Sequence, residues 1–107
     1  MIKTITIDPI KSEEAQSEVY QDLYNGIVNA VLYPNPNEGY FNVNIFLERE
    51  GKIEISIHSL TGQLLGVDKA IGKEVSRTYN FNNLESGMYI FIIRTGKQTK
   101  ALKFIKL

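Results

Sequence analysis

Turn-forming residues punctuate this chain at three places, and every apolar run between them has the length of a β-strand. The first mark is Tyr33-Pro34-Asn35-Pro36-Asn37-Glu38-Gly39, the second Ser59-Leu60-Thr61-Gly62-Gln63, the third Leu84-Glu85-Ser86-Gly87-Met88-Tyr89. Each proline fixes φ at about −65°, removes a backbone donor and pushes the residue before it into extended geometry. The strand carrying Val31 and Leu32 must therefore stop at Pro34 or run on as an unpaired edge, with Gly39 reopening the chain into the next strand. In the third mark Leu84 can bury, Gly87 permits a turn that a Cβ would obstruct, and Tyr89 returns inward with a hydroxyl that needs a partner.

Beyond Ile27 the apolar period is two. Phe41, Val43, Ile45 and Leu47 alternate with Asn42, Asn44 and Phe46, and Ile53, Ile55 and Ile57 alternate with Glu54, Ser56 and His58, the pattern of half-buried antiparallel strands. Glu48-Arg49-Glu50-Gly51 between them predicts a hairpin, and Leu60-Thr61-Gly62 a second tight turn into a strand at 63 to 67, with a bulge or strand end at Gly66. Val75 to Phe81 predicts a strand near an edge, with Val75, Tyr79 and Phe81 facing inward. Met88 to Ile93 is apolar on both faces and predicts a central strand. Arg94-Thr95-Gly96-Lys97 closes a hairpin into the last strand, where Leu102, Phe104, Ile105 and Leu107 supply buried contacts. The sum is an all-β chain, an immunoglobulin-like antiparallel β-sandwich of about seven strands.

The first thirty residues read differently. Ile2, Ile5 and Ile7 predict a short strand that Pro9 ends. Ala15, Val19 and Leu23 recur at helical spacing behind a Ser12 N-cap, with Gly26 available to close a helix over 12 to 25, or else this stretch is a linker. Residues 1–31 are accordingly expected to be an extension or linker and 32–107 the sandwich domain.

A chain of 107 residues with 43% apolar content is expected to be one domain with a modest core. No stretch approaches the ~18 apolar residues of a membrane helix, so membrane insertion is not expected. Formal net charge is zero, so no overall field recruits nucleic acid. The charge is unevenly placed, with two lysines against five acids in residues 1 to 31, and Lys97, Lys100, Lys103 and Lys106 without an acid in the last eleven. Such a lysine set is ordinarily a solvated strand edge. Met1 to Asp8 is too short and too polar for the apolar heart of a signal peptide, which leaves a cytoplasmic chain or a piece of a longer exported precursor.

Catalysis is not expected. There is no cysteine, and the single histidine, His58, alternates with isoleucines on an outward face, so neither a triad nor a zinc site can be assembled from imidazole and thiolate. Glu48 with Glu50 and Glu13 with Glu14 lie in polar surroundings with nothing to raise a pKa. No glycine-rich run is present to cradle a phosphate, and no cofactor is called for.

Taken in order, Pro-Asn-Pro-x-x-Gly, an alternating strand, Ile-x-Ile-x-x-x-x-Gly-Gln, Phe-x-x-Leu-x-x-Gly-x-Tyr and a lysine-bearing last strand resemble the type A C-terminal sorting domain of the type IX (Por) secretion system, from Leu32 to Leu107. The matching positions are Pro34, Asn35, Pro36, Gly39, Gly62, Leu84, Gly87 and Tyr89. His58, Ser59 and Gln63 stand where relatives often carry an aromatic residue, Asp or Asn, and Lys or Arg. The resemblance implies a β-sandwich that serves as an export address rather than as a catalyst. Its implied partners are the outer-membrane translocon and a sortase-like protease that removes the domain at the cell surface, after periplasmic transit, in a bacterium of the Bacteroidetes. Lys97, Lys100, Lys103 and Lys106, with Gly87 and Tyr89, are the implied recognition candidates, and Gly26 to Val31 the implied processing boundary. The competing expectation is a glycan- or protein-binding module, with Tyr20, Tyr24, Tyr33 and Tyr40 available to stack on sugars.

Overall fold

The structure is a computed structural model that describes residues 25–107. The strand expected at Ile2 to Ile7, Tyr20 and Tyr24, and the helix expected over 12 to 25, except for its final position, lie outside the described residues. Within them five strands follow one another: β1 (Ile27–Tyr33), β2 (Tyr40–Ser59), β3 (Leu64–Asn80), β4 (Gly87–Thr95) and β5 (Gln98–Lys106). No helix occurs among the described residues.

All strand pairings are antiparallel, and β2 is their axis. β3 lies along one edge of β2, from Tyr40↔Asn80 to His58↔Leu64. The other edge is shared, with β1 beside the first half (Tyr33↔Asn42 to Ile27↔Leu47) and β4 beside the second (Glu54↔Arg94 to Ser59↔Tyr89). β5 pairs with β4 and has no further strand beyond it. One half is thus three strands wide and the other four.

The strand count corrects the seven expected. Glu48-Arg49-Glu50-Gly51 is not a hairpin, because β2 runs straight through it, and β3 fuses the two strands expected at 63 to 67 and 75 to 81. The reason lies in pleat parity. Leu47 and Ile53 are an even number of residues apart, so Phe41 through Ile57 keep every odd-numbered apolar side chain on one buried face without any reversal. The polar insert is accommodated as a bulge. Phe46 pairs with Glu74 and Gly51 with Gly72, so β2 spends three more residues than β3 between these two rungs.

That bulge is fastened from outside. The Asn25 Nδ2 donates to Arg49 O at 2.7 Å, Arg49 N donates to Asn25 Oδ1 at 3.0 Å, and Glu48 N donates to Gly26 O at 2.9 Å. Three backbone groups of the bulge, Glu48 N and both the N and O of Arg49, are thereby paired. Gly51 is glycine for the same reason, since a Cβ there would stand 2.5 Å from Asn25 Nδ2.

The sheet curls so that its two halves meet. The Phe41 ring, at the start of β2, lies 4.7 Å from Phe104 of β5 and 6.2 Å from Phe91 of β4, centroid to centroid, and Tyr79 of β3 lies 5.6 Å from Phe91. Fourteen apolar residues form the buried core, and burying each large one stabilises the fold by about 1.5–3 kcal/mol.

Other expectations meet the structure one by one. The tight turn at Leu60 to Gly62 is present, with Gly62 N donating to Ser59 O at 3.0 Å. A bulge next to Gly66 is present, since Ile57 pairs with Gly66 and His58 with Leu64. β3 is an edge strand with Val75 buried and Tyr79 half-buried, and β4 is central. In β5 the expectation is corrected: Leu102 and Phe104 face inward, whereas Ile105 and Leu107 are exposed and the buried position between them is Lys106. Two-residue alternation decides this, since Ile105 sits one step out of phase with Phe104.

Candidate functional site

The first and last marks of the sequence meet in space. β1 ends at Tyr33, and the segment Pro34 to Asn37 then runs beside the free edge of β5. Asn35 acts there as a substitute peptide: its Nδ2 donates to Lys103 O and its Oδ1 accepts from Ile105 N, both at 3.0 Å. Asn37 continues with its own backbone, its N donating to Ile105 O at 2.9 Å and its O accepting from Leu107 N at 2.8 Å. The prolines, having no N–H, leave no donor stranded along this seam. Both X-Pro bonds are cis.

Asn37 also builds the corner that follows. Its Nδ2 donates to Pro34 O at 3.0 Å and its Oδ1 accepts from Gly39 N at 2.8 Å, and it is buried. Gly39 adopts φ 97°, and a Cβ there would lie 2.6 Å from Phe81 O, so both conformation and space require glycine. The sequence reading passed over Asn37; its only signal was an asparagine between a proline and a glycine, the composition of an Asx turn.

The third mark forms a second corner. Leu84 is half-buried, and Leu84 N donates to Phe81 O. The Tyr89 ring is buried against Phe104, and its hydroxyl donates to Glu85 O, the partner its burial demands. Gly87 differs from expectation in its reason: a Cβ would meet nothing within 4 Å, and its φ of 155° is what disfavours a side chain. Gly62 is likewise in open space, at φ 92°.

The four candidate lysines do not share one face. Lys97 lies in the two-residue connection between β4 and β5, Lys100 and Lys103 are exposed on opposite pleat faces, and Lys106 is turned inward with its Nζ donating to Leu107 O at 3.2 Å. Lys103 is the one whose backbone carries the Asn35 contact. The processing boundary expected at Gly26 to Val31 falls on bonded backbone, since Gly26 is tied to Glu48 and Ile27 onward is strand, its N donating to Gln98 Oε1 at 3.0 Å. A protease would have to peel β1 from the sheet to cut there.

A polar cluster missed in the sequence braces the free edge of β3. Asp68 accepts from Arg77 Nε at 3.2 Å, from the Tyr79 hydroxyl at 2.8 Å and from Lys69 N at 2.8 Å, while Arg77 also reaches Lys69 O. Burial works to raise the Asp68 carboxyl, but the bonds from Tyr79, the Lys69 amide and Arg77, with the Arg77 charge, outweigh it and hold it below its ordinary value. Burial pushes the Tyr79 phenol well above its ordinary value, helped by its bond to Asp68 and that group's charge. Nothing in the spacing of Asp68, Arg77 and Tyr79 reveals that β3 folds back far enough to join them.

His58 bonds to Ser56 Oγ at 3.0 Å through Nε2, and no group of three metal-ligating side chains occurs among the described residues. A shallow depression of about 240 Å³ lies on the outer face of the four-stranded half, where Glu54 has Lys69 and Arg94 as cross-strand neighbours. Among the described residues no helix is long and apolar enough to cross a membrane.

Comparison with known proteins bears on the same region. The family model described as "Secretion system C-terminal sorting domain" matches residues 31–107. No curated protein matches the chain. Among solved structures, the β-glucosidase from Listeria innocua in complex with glucose aligns at 14% identity and TM-score 0.40, over 78% of this chain and 16% of that protein.

Proposed function

The chain belongs to the secretion system C-terminal sorting domain family of type IX (Por) secretion, and on that premise we propose that residues 32 to 107, with β1 completing the folded unit from Ile27, are an export address read by the outer-membrane translocon. Membership implies export to the cell surface or secretion. The finer route is our inference: a cargo joined ahead of the domain crosses the periplasm in a Bacteroidetes cell and is freed from the domain at the surface by a sortase-like protease. The cut falls on the N-terminal side of Asn25, because the Asn25 side chain and the backbone from Gly26 onward are tied into the bulge and the sheet.

One observation carries the reading: Asn35 and Asn37 ladder onto Lys103, Ile105 and Leu107, so the first mark and the lysine-bearing last strand form one fixed surface. A recognition surface has to be rigid to be read without a large ordering cost, and here neither element is free to move alone. On this surface we assign recognition to Pro34, Asn35, Pro36 and Lys103, with Lys97 and Lys100 beyond it and Lys106 bracing the end of β5. Gly39, Gly62, Leu84, Gly87 and Tyr89 shape the corners that hold it. We further read the curled sheet as an immunoglobulin-like sandwich, a reading supported by Phe41 packing across to Phe91 and Phe104 and by the Tyr89 hydroxyl bonding back to the chain four residues upstream.

The test is a fusion of residues 25 to 107 to a periplasmic reporter in cells with an intact type IX system. Delivery of the reporter to the surface or medium is expected, and Lys103→Glu should leave more of it behind. A stably folded fusion that stays in the periplasm would reject the address.

A further inference from the structure

The outer face of the three-stranded half carries an unbroken run of uncharged cross-strand positions. Tyr33 of β1 is opposite Asn42 of β2, which is opposite Thr78 of β3; one rung along, Asn44 is opposite Ser76. Tyr40 precedes them on β2, and every position of this face from Val31 to Tyr33, Tyr40 to Asn44 and Ser76 to Asn80 is uncharged, charge first appearing at Glu74 beside Phe46. The corresponding face of the four-stranded half carries Lys52, Glu54, Lys69 and Arg94.

Its side chains are held in place. Thr78 Oγ1 donates to Asn42 Oδ1 at 2.8 Å, Ser76 Oγ donates to Asn44 Oδ1 at 3.0 Å, and Asn44 Nδ2 donates to the Tyr33 hydroxyl at 3.1 Å. Tyr33 is thus leaned along the sheet with 45% of its surface open, and Tyr40 is 59% open. Tyr33, opposite Asn42, leans toward Asn44, while Tyr40 stands on the other side of Asn42, so the two exposed rings flank the Asn42 amide. With Asn42 Oδ1 occupied by Thr78, the two amide hydrogens of Asn42 are available to a ligand.

We propose that this face binds a neutral oligosaccharide, a short run of pyranose units with equatorial hydroxyls. A pyranose presents an apolar C–H face and a rim of hydroxyls. The first matches exposed, pinned tyrosine rings, and the second matches oriented amides and hydroxyls. The absence of charge fits a neutral chain and disfavours an anionic one, which the lysine- and arginine-bearing face of the other half would suit better. The proposal rests on the geometry of this face and not on the export reading, so either can fail alone.

The experiment titrates the full 107-residue chain with cellohexaose and with laminarihexaose, followed by amide NMR. One of the two glucans is expected to shift Tyr33, Tyr40, Asn42 and Asn44 and to leave Lys69 and Arg94 unmoved. Tyr40→Ala, at a side chain with no hydrogen-bond partner among the described residues, should keep the fold and weaken binding by about tenfold, the size of one stacking contact. Tyr33→Phe should weaken it less, keeping the ring and losing its anchor on Asn44. Silence from both glucans up to about 10 mM, or binding that Tyr40→Ala leaves unchanged, would overturn the proposal. So would loss of export in Tyr40→Ala without any glucan binding, which would assign the face to a protein partner.

Discussion

An asparagine side chain carries both halves of a peptide group, and this chain uses that property where its backbone runs out of neighbours. Asn35 replaces a strand at the edge of β5, and Asn25 replaces one at the bulge of β2. Edge carbonyls and amides that are paired cannot recruit another chain, so Asn35 protects β5 as well as fixing the surface. Asn35→Ala is expected to cost about 1 kcal/mol, because the two bonds lost are solvent-exposed, and to speed hydrogen exchange at the Ile105 amide. Asn35→Asp should fall between, since a carboxylate still accepts from Ile105 N but cannot donate to Lys103 O. The Asp68 cluster makes a second residue-scale prediction. The Asp68 pKa is depressed on folding, so its contribution is present above the unfolded value near 3.8 and is lost as pH falls through the lower folded value. The Tyr79 pKa is raised, so its contribution is present below the unfolded value of 10.0 and is lost as pH rises beyond it. Melting temperature measured across pH should therefore decline on both flanks; Tyr79→Phe should flatten the alkaline decline, and Asp68→Asn should weaken both. Each effect is about 1 kcal/mol or less, because Arg77 and Asp68 retain 39% and 32% of their side-chain exposure.

Among elements, β2 is where sequence and structure part company, and the reason is instructive. Glu48-Arg49-Glu50-Gly51 has the composition of a hairpin loop, and local turn chemistry predicts one. What defeats it is long-range: β3 accompanies β2 through both halves, and Asn25, more than twenty residues away in sequence, supplies the partner that makes a bulge tolerable. The turns at Gly62 and Gly96 were legible because the residues that form them are adjacent, and the central position of β4 was legible because Met88 to Ile93 is apolar on both faces. The seam between Asn35 and β5, and the Asp68–Arg77–Tyr79 cluster, were not, since each joins residues whose proximity only the curled sheet creates. The bulge can be tested through its two ends. Asn25→Ala removes both bonds to Arg49, and Gly51→Ala drives a Cβ into Asn25 Nδ2. Each should destabilise by about 1–3 kcal/mol. In the double variant the clash has lost its target, so chemical denaturation should give a cost below the sum by about 0.5 kcal/mol or more; strict additivity would show that Asn25 does not set the glycine requirement.

At the scale of the whole molecule, side-chain packing centred on Phe41 joins what the strand ladders keep apart. The first half of β2 pairs with β1 and the second with β4, so the strand ladders alone would allow the curled sheet to open. Phe41 resists this, being fully buried on the first half while its ring meets Phe104 and Phe91 on the second. The seam of Asn35 and Asn37 on β5 lies a few residues before it and closes only if the halves stay together. Phe41→Ala is expected to cost about 3–5 kcal/mol, the range for emptying an aromatic site in a core. Domains of this size have on the order of 5–15 kcal/mol to lose, so a folded fraction should survive at low temperature. In that fraction hydrogen exchange should rise at Ile105 and Leu107 before it rises in the β2–β3 ladder, because the seam depends on the two halves meeting and the ladder does not. Uniform loss of protection along the chain would show instead that the ladder has no stability apart from the seam. If the export reading is right, a Phe41→Ala fusion held below its melting temperature should also be delivered poorly, since its strands remain while the surface that joins Asn35 to Lys103 has come apart.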